Sequence, residues 1–398
     1  MKRKTITYLC LLPLILSACK GLSYGAGRTA QGPGTRLKQE LYTDFKPASQ
    51  GNVRVLIMSV TEISVSSTPL CEVWDLEGKA ALARGQTLSL RLSKDGIKLD
   101  GADSPLDRID IRATGDGVLS LNGKPYRGKV IIQRNAGGGM DVINVVELEA
   151  YLYGVVPKEM SPQWPLEALK AQAVVSRTYT VYQKERNENR GYDLCATMNS
   201  QVYGGKGVED ERAKQAVDET RGIVLLYDGK PVLPYFHADS GGITEDPEYV
   251  WAVKLPYLKG IRDDYSIKTP NFLWELSLSL DGIRKTLNEK GLEIGQIDRL
   301  MPVEISPSGR VRKIKISHSG GETIMSGNDF RLKIGPALIR STLFSLTVDN
   351  REVHFEGRGY GHGVGMSQRG ACAMAREGYL YRDILKHYYQ GVDIGQLS

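Results

Sequence analysis

The sequence predicts an α+β fold: mainly antiparallel sheets packed around a central alanine-rich helix, with a smaller β-rich part on the N-terminal side. Three observations predict it. From residue 53 to about 146, short alternating runs are punctuated by turn signals at Lys94-Asp95-Gly96, Thr114-Gly115-Asp116-Gly117 and Asn122-Gly123, the pattern of strands joined by tight turns. From Pro165 to Glu185, small residues lie on every side of a helical period with few charges, the mark of a closely packed helix. Beyond it, strand patterns return. Ile223-Val224-Leu225-Leu226-Tyr227 is closed by Asp228-Gly229, and 301–327 reads as a hairpin turning at Ser306-Pro307-Ser308-Gly309.

Taken in order, the chain begins with Lys2, Arg3 and Lys4, then an apolar run from Ile6 to Leu16 broken only by Thr7. That run is too short for a bilayer core of ~30 Å and has the form of a signal peptide over residues 1–18. It ends in Leu16-Ser17-Ala18-Cys19, the lipobox of bacterial lipoproteins. Cys19 is therefore expected to carry the acyl chains that anchor the chain in the cell envelope; each buried methylene contributes ~0.8 kcal/mol. Residues 19–52, rich in Gly, Ser, Thr, Gln and Pro without an apolar period, read as a flexible tether. The expected location is the outer membrane or periplasm where a cell has two membranes, and otherwise the outer face of the cytoplasmic membrane.

A hydrophobic content of 41% with 25% charge is that of a globular protein. The formal charge is +6, and three of those positives lie before Cys19. With no basic cluster interleaved with aromatics, nucleic acid is not an expected partner. Cys71, Cys195 and Cys372 show no zinc spacing. Tyr126 to Ile132 is a further strand candidate; helices are expected at 211–221, 281–290 and 368–388.

Three segments hold the candidate chemistry. In Tyr151-Leu-Tyr-Gly-Val-Val-Pro-Lys-Glu-Met160, Glu159 stands between Pro157 and Pro162, which are expected to keep it out of regular helix or strand. Val155, Val156, Met160 and Trp164 flank it. An apolar wall favours a neutral carboxyl and raises its pKa, as a general acid requires; a helix-capping or lysine-paired carboxylate is the alternative. The following helix offers Lys170, Gln172 and Arg177. Lys170 and Arg177, seven apart, share a face; they either orient Glu159 and bind sugar oxygens or form a structural ion-pair network. The second segment, Tyr235 to Glu245, carries His237 and Ser240-Gly241-Gly242; it lacks the nucleophile elbow of a serine hydrolase. In the third, Gly357 to Ala371, glycines alternate with Arg358, Tyr360, His362 and Val364 before Ser367-Gln368 enters a helix. The alternation is expected to present one row of side chains to a ligand, and the stretch does not match a phosphate loop or dinucleotide fingerprint.

Together these segments resemble the SpoIID family, named for sporulation stage II protein D, some of whose relatives are called amidase enhancers. The resemblance runs from about 53 to 395, through Asn144-Val-Val-Glu-Leu-Glu-Ala-Tyr-Leu, Val-Val-Pro-Lys-Glu159-Met, Leu-Lys-Ala-Gln-Ala, Gln201-Val-Tyr-Gly-Gly, the His237 to Thr244 run, Val250-Trp251 and Gly-His362-Gly-Val-Gly-Met-Ser-Gln368. It implies one peptidoglycan-acting domain over 53–398, β-rich at 53–146 with a catalytic core from about 147. It implies a lytic transglycosylase acting on glycan strands stripped of stem peptides, with Glu159 as acid/base and Lys170, Gln172, Arg177, His237, Ser240, His362 and Gln368 near substrate. A non-catalytic glycan-binding module, or an activator of a cell-wall amidase, is the alternative. Some relatives bind zinc near the segment matching Asp193-Leu-Cys195, but here the companion positions are Asn199 and Ser200. Cys195 alone cannot complete a zinc site, so neither metal nor cofactor is expected.

Overall fold

A computed structural model of the chain describes residues 51–74, 81–100, 106–269 and 272–397. The expected leader, Cys19 and nearly all of the tether lie outside them. The fold is α+β with mostly antiparallel sheets.

Nine strands come first: β1 (Asn52–Val60), β2 (Glu62–Trp74), β3 (Ala81–Ser93), β4 (Gly96–Leu99), β5 (Arg108–Ala113), β6 (Leu119–Leu121), β7 (Lys124–Tyr126), β8 (Lys129–Arg134) and β9 (Met140–Glu147). Their sheet has the order β1-β9-β8-β5-β2-β3-β4, with β6 and β7 branching from β2. The central strands are buried on both faces. Val130, Ile131 and Ile132 are all buried, because Leu56, Ile131, Ile143 and Val145 form a small core of their own beside Tyr192 and Cys195. Such strands read as continuous apolar runs rather than alternations.

The sheet leads straight into two helices, α1 (Leu148–Glu159) and α2 (Leu166–Arg186). The Glu147 carboxylate caps α1, accepting from the Ala150 N–H at 2.9 Å. The expectation that Pro157 excludes helix is overturned: α1 runs through it and ends on Glu159. In the last turn, proline forfeits only the bond to the Tyr153 carbonyl, and the neighbouring Gly154 carbonyl is taken by the Gly204 N–H at 3.0 Å. The α2 helix is the central element that its composition predicts. Every residue from Ala171 to Thr178 is buried, and α2 packs against α1 and against α3 (Glu211–Glu219). A short strand, β10 (Leu194–Cys195), adds to the sheet edge parallel to β1. Then β11 (Ile223–Tyr227) and β12 (Lys230–Pro231) pair, and β13 (Phe236–His237) and α4 (Pro247–Trp251) follow.

Residues 272–358 form an inserted module. Strands β14 (Leu273–Ser279), β15 (Ile297–Ile305), β16 (Val311–His318), β17 (Gly321–Ser326), β18 (Phe344–Asp349) and β19 (Glu352–Arg358) make two three-stranded sheets, β14-β19-β18 and β15-β16-β17. With α5 (Leu280–Glu289) and α6 (Gly327–Ile334) they enclose a separate core that includes Ile283, Leu287, Ile297, Ile314, Phe330 and Phe355.

The chain then returns through the glycine-rich stretch to β20 (Met366–Ser367), which pairs parallel to β13. The single helix expected over 368–388 is two, α7 (Gln368–Arg376) and α8 (Tyr381–Tyr388). The break follows from Gly378, whose φ of +93° stops the helix. A last strand, β21 (Asp393–Gln396), pairs with β11.

Candidate active site

Glu159 ends α1, half-buried. Its Oε1 accepts from the Val202 backbone N–H at 3.0 Å. Its Oε2 has no hydrogen-bond partner among the described residues and is not among the atoms sealed from solvent. Burial raises the pKa of the carboxyl, against the opposing pull of the Val202 bond and of Lys158. One oxygen is thus fixed and the other open, with the neutral acid favoured.

Gln368, the first residue of α7, holds the acid from behind. Its Nε2 donates to the Glu159 carbonyl at 3.1 Å and to Gln172 Oε1 at 3.2 Å. Gln172 passes the chain on, donating to Ser176 Oγ at 3.0 Å. Residues far apart in sequence, 159, 172 and 368, thereby form one buried polar line. A half-satisfied network of this kind is costly, which fixes the register of α1, α2 and α7 around the acid.

Lys170 and Arg177 do share a face, but that face meets α3. Arg177 is fully buried and forms a two-pronged pair with Glu149, Nε to Oε1 at 2.9 Å and Nη2 to Oε2 at 2.6 Å, and its Nη2 also reaches the Val217 carbonyl. Lys170 Nζ lies 2.7 Å from both Glu167 and Glu219. Both cations are consumed in ion pairs, which is the structural reading of the two that their spacing left open.

His237 and His362 are neighbours, with ring centroids 5.6 Å apart, and Val364 serves both. Its carbonyl lies 3.0 Å from His237 Nδ1, and its N–H donates to His362 Nδ1 at 3.1 Å. The bonds assign opposite tautomers: the proton sits on Nδ1 in His237 and on Nε2 in His362. Burial, with Arg331 and Arg310 nearby, pushes His362 down to about 3; burial and the neighbouring His362 push His237 well down. Both rings therefore stay neutral at physiological pH and are not proton donors there. Tyr235 and Trp251 pack against His362, with centroids 6.0 and 4.9 Å away. Ser240 is no nucleophile's partner for His237: it is buried and donates to Asp263 Oδ2 at 2.7 Å.

The glycine-rich stretch is not a plain alternation. Gly359, Gly361, Gly363 and Gly365 all have positive φ, +77°, +113°, +85° and +74°, so the backbone winds. Arg358 and Tyr360 are exposed and His362 is half-buried, as the expected row requires, but Val364 is fully buried. Close packing explains part of it. A Cβ on Gly363 would lie 2.6 Å from the Arg310 guanidinium, which projects from the end of the β15–β16 turn. Arg310 had no sequence signal beyond its place after a hairpin glycine, and Glu149 and Val202 were likewise missed as partners. Cys195 Sγ faces hydroxyls, Ser200 Oγ at 3.3 Å and Thr197 Oγ1 at 3.5 Å.

A family model described as stage II sporulation protein matches residues 136–227, spanning Glu159, Arg177 and Val202. A second, described as a domain of unknown function, matches 258–365, which takes in the inserted module and His362. The stage II sporulation protein D of Bacillus amyloliquefaciens is 33% identical over 266 residues, covering 63% of this chain and 75% of that protein. Its namesake in Bacillus subtilis (strain 168) is 30% identical over 312 residues, 74% and 86% of the two chains. An amidase enhancer of Bacillus subtilis (strain 168) is 30% identical over 365 residues, 79% of this chain and 50% of that one. With that identity sustained across three quarters or more of two sporulation proteins, the chain belongs to the SpoIID family.

Proposed function

We propose that this protein is a lipid-anchored lytic transglycosylase of the cell envelope that cleaves peptidoglycan glycan strands, with Glu159 as its acid and base. The observation that carries the reading is the state of Glu159: one carboxyl oxygen fixed by a backbone N–H, the other open, the protonated form favoured by burial, and no cation paired with it among the described residues. A single such carboxyl is enough for the lytic reaction. Glycoside hydrolases generally need a second carboxylate to activate water or act as nucleophile. In the lytic route the 6-hydroxyl of the muramic residue attacks its own anomeric carbon as the glycosidic bond breaks. Glu159 gives its proton to the leaving oxygen, then takes one from that hydroxyl, and the product ends in a 1,6-anhydro ring. Attack within one sugar gains from effective molarity.

Gln368 and Gln172 hold the acid in place, and His362, Tyr235 and Trp251 offer a neutral aromatic wall for a sugar. The names of the sporulation proteins and the amidase enhancer are in keeping with work on the cell wall. The amidase-enhancer relative favours a second reading, in which the chain stimulates a cell-wall amidase without cutting glycan. Mass spectrometry of products from denuded strands separates the two. Anhydro ends from wild type and none from Glu159→Gln support the enzyme. Undiminished stimulation of an amidase by Glu159→Gln, with no anhydro ends from either protein, supports the activator. The lipid anchor is tested separately: Cys19→Ala is expected to leave the precursor unprocessed and without acyl chains, and normal acylation of that variant removes the anchor from the reading.

A further inference from the structure

We infer that Arg331, set against the glycine-rich stretch, forms a subsite for a carboxylate, and that its occupant is the free lactyl carboxylate of a muramic residue. The second half rests on the glycan reading above.

Arg331 lies on α6 of the inserted module and is only 6% exposed. Its Nε donates to the Arg340 carbonyl at 3.1 Å, and the Gly361 N–H donates to the same oxygen at 2.8 Å. One carbonyl therefore ties the guanidinium to the residue before His362. Among the described residues neither terminal nitrogen of Arg331 has an acceptor, and neither is among the atoms sealed from solvent. Tyr360, 43% exposed, stands at the rim. A guanidinium so deeply set, with its two outer donors open, is an unfinished site: a planar fork matches a carboxylate bidentately.

The surroundings reinforce the need for an anion. Arg310, 2% exposed, lies under Gly363 and donates to the Ser240 carbonyl at 2.7 Å and to Ser308 Oγ at 3.0 Å. Its nearest anion, Glu245, is reached through Ser308, which donates to Glu245 Oε2 at 2.8 Å. Asp239 lies 3.9 Å from Arg369, and Asp263 accepts from the Ser240 and Ser266 hydroxyls at 2.7 and 2.6 Å. Among the described residues, none of Arg310, Arg331 and the exposed Arg358 has a carboxylate in an ion pair with it. His362, held neutral, adds no charge of its own.

The chemistry of the strand supplies a matching anion. Where a stem peptide is attached, the lactyl carboxyl of a muramic residue is an amide and carries no charge. Where the peptide has been removed, it is a free carboxylate. A guanidinium subsite therefore distinguishes denuded strands from peptide-bearing ones by charge as well as by size.

The test compares binding of the full protein to denuded glycan strands and to the same strands with their carboxyls converted to primary amides. Wild type is expected to bind the unmodified strands roughly tenfold more tightly. Arg331→Gln, with circular dichroism confirming its fold, is expected to bind both equally and weakly. Arg331→Lys, which keeps the charge and loses the fork, is expected to keep part of the preference. Equal binding of both strands by wild type, or a preference undiminished in Arg331→Gln, overturns the subsite. Should Arg331→Gln not fold, the wild-type comparison and Arg331→Lys decide. Anhydro ends are read in the same samples. Charge-dependent binding without them leaves the subsite standing and removes the transglycosylase; anhydro ends without the preference do the reverse.

Discussion

Helix α1 carries two glutamates ten residues apart whose environments are opposite. Glu149, in the first turn, is 3% exposed, clasped by both prongs of Arg177, and also accepts from the Gly222 N–H at 3.1 Å. Glu159, at the last residue, has one backbone N–H and an open oxygen. Both are carboxyls on one rigid rod, so the difference lies wholly in what surrounds them. A buried carboxyl met by a guanidinium is committed to its charge and to structure. A half-buried carboxyl denied a cation is left able to exchange a proton.

Each end of α1 answers to its own substitution. Glu159→Gln keeps shape and hydrogen bonding but cannot transfer a proton, so anhydro-product formation should fall by ~100- to 10,000-fold with the circular dichroism spectrum unchanged. Activity within a few fold of wild type would move the chemistry elsewhere. At the other end, Arg177→Met leaves the Glu149 charge buried and alone, and should cost about 3–5 kcal/mol of unfolding free energy in denaturant titration. A loss under 1 kcal/mol would mean that Glu149 finds another partner or takes up a proton at no great cost. Between these extremes, Gln368→Ala frees the Glu159 backbone and strands Gln172. A misplaced acid should lower turnover roughly 10- to 100-fold, chiefly in kcat rather than KM; an effect confined to KM would make Gln368 a substrate contact.

The two carboxyls also differ in how stability follows pH. The Glu159 pKa is raised in the folded protein above its ordinary 4.5. A carboxyl so shifted binds its proton more tightly when folded. Its contribution to stability is therefore present below pH 4.5 and lost as pH rises through the folded value. Glu159→Gln has no such loss, so the variant should melt higher than wild type at neutral pH and equally at pH 4. Glu149→Gln should melt lower at neutral pH. The same sign for both substitutions would erase the distinction between the two ends.

How much of this was legible in sequence depends on whether a feature is local. The burial of α2 was legible, since small residues on all sides leave no polar face. The strand at 223–227 and the hairpin turn at 306–309 were legible from their own residues. Pro157 misled because a proline's cost depends on its place in a helix, and the end of α1 is set by contacts rather than by composition. The single helix expected over 368–388 failed at Gly378, a residue that the pattern tolerated and the backbone did not. Lys170 and Arg177 show the limit most clearly. Their seven-residue spacing correctly put them on one face, but no spacing says what that face meets. Glu219 and Glu149 answer that, and both come from other helices. Glu159 itself was found through its apolar flank, a local property; its hold on Val202 and Gln368 was not visible, being made across the fold.

The inserted module begins and ends at a single hydrogen bond: the Gly359 N–H donates to the Phe272 carbonyl at 2.6 Å, and β14 lies along β19 from that point outward. A segment whose two ends already touch costs the host little chain entropy whatever its length. With its own apolar core, it also asks little of the host for stability. The module can thus change in length at little cost to the rest of the fold.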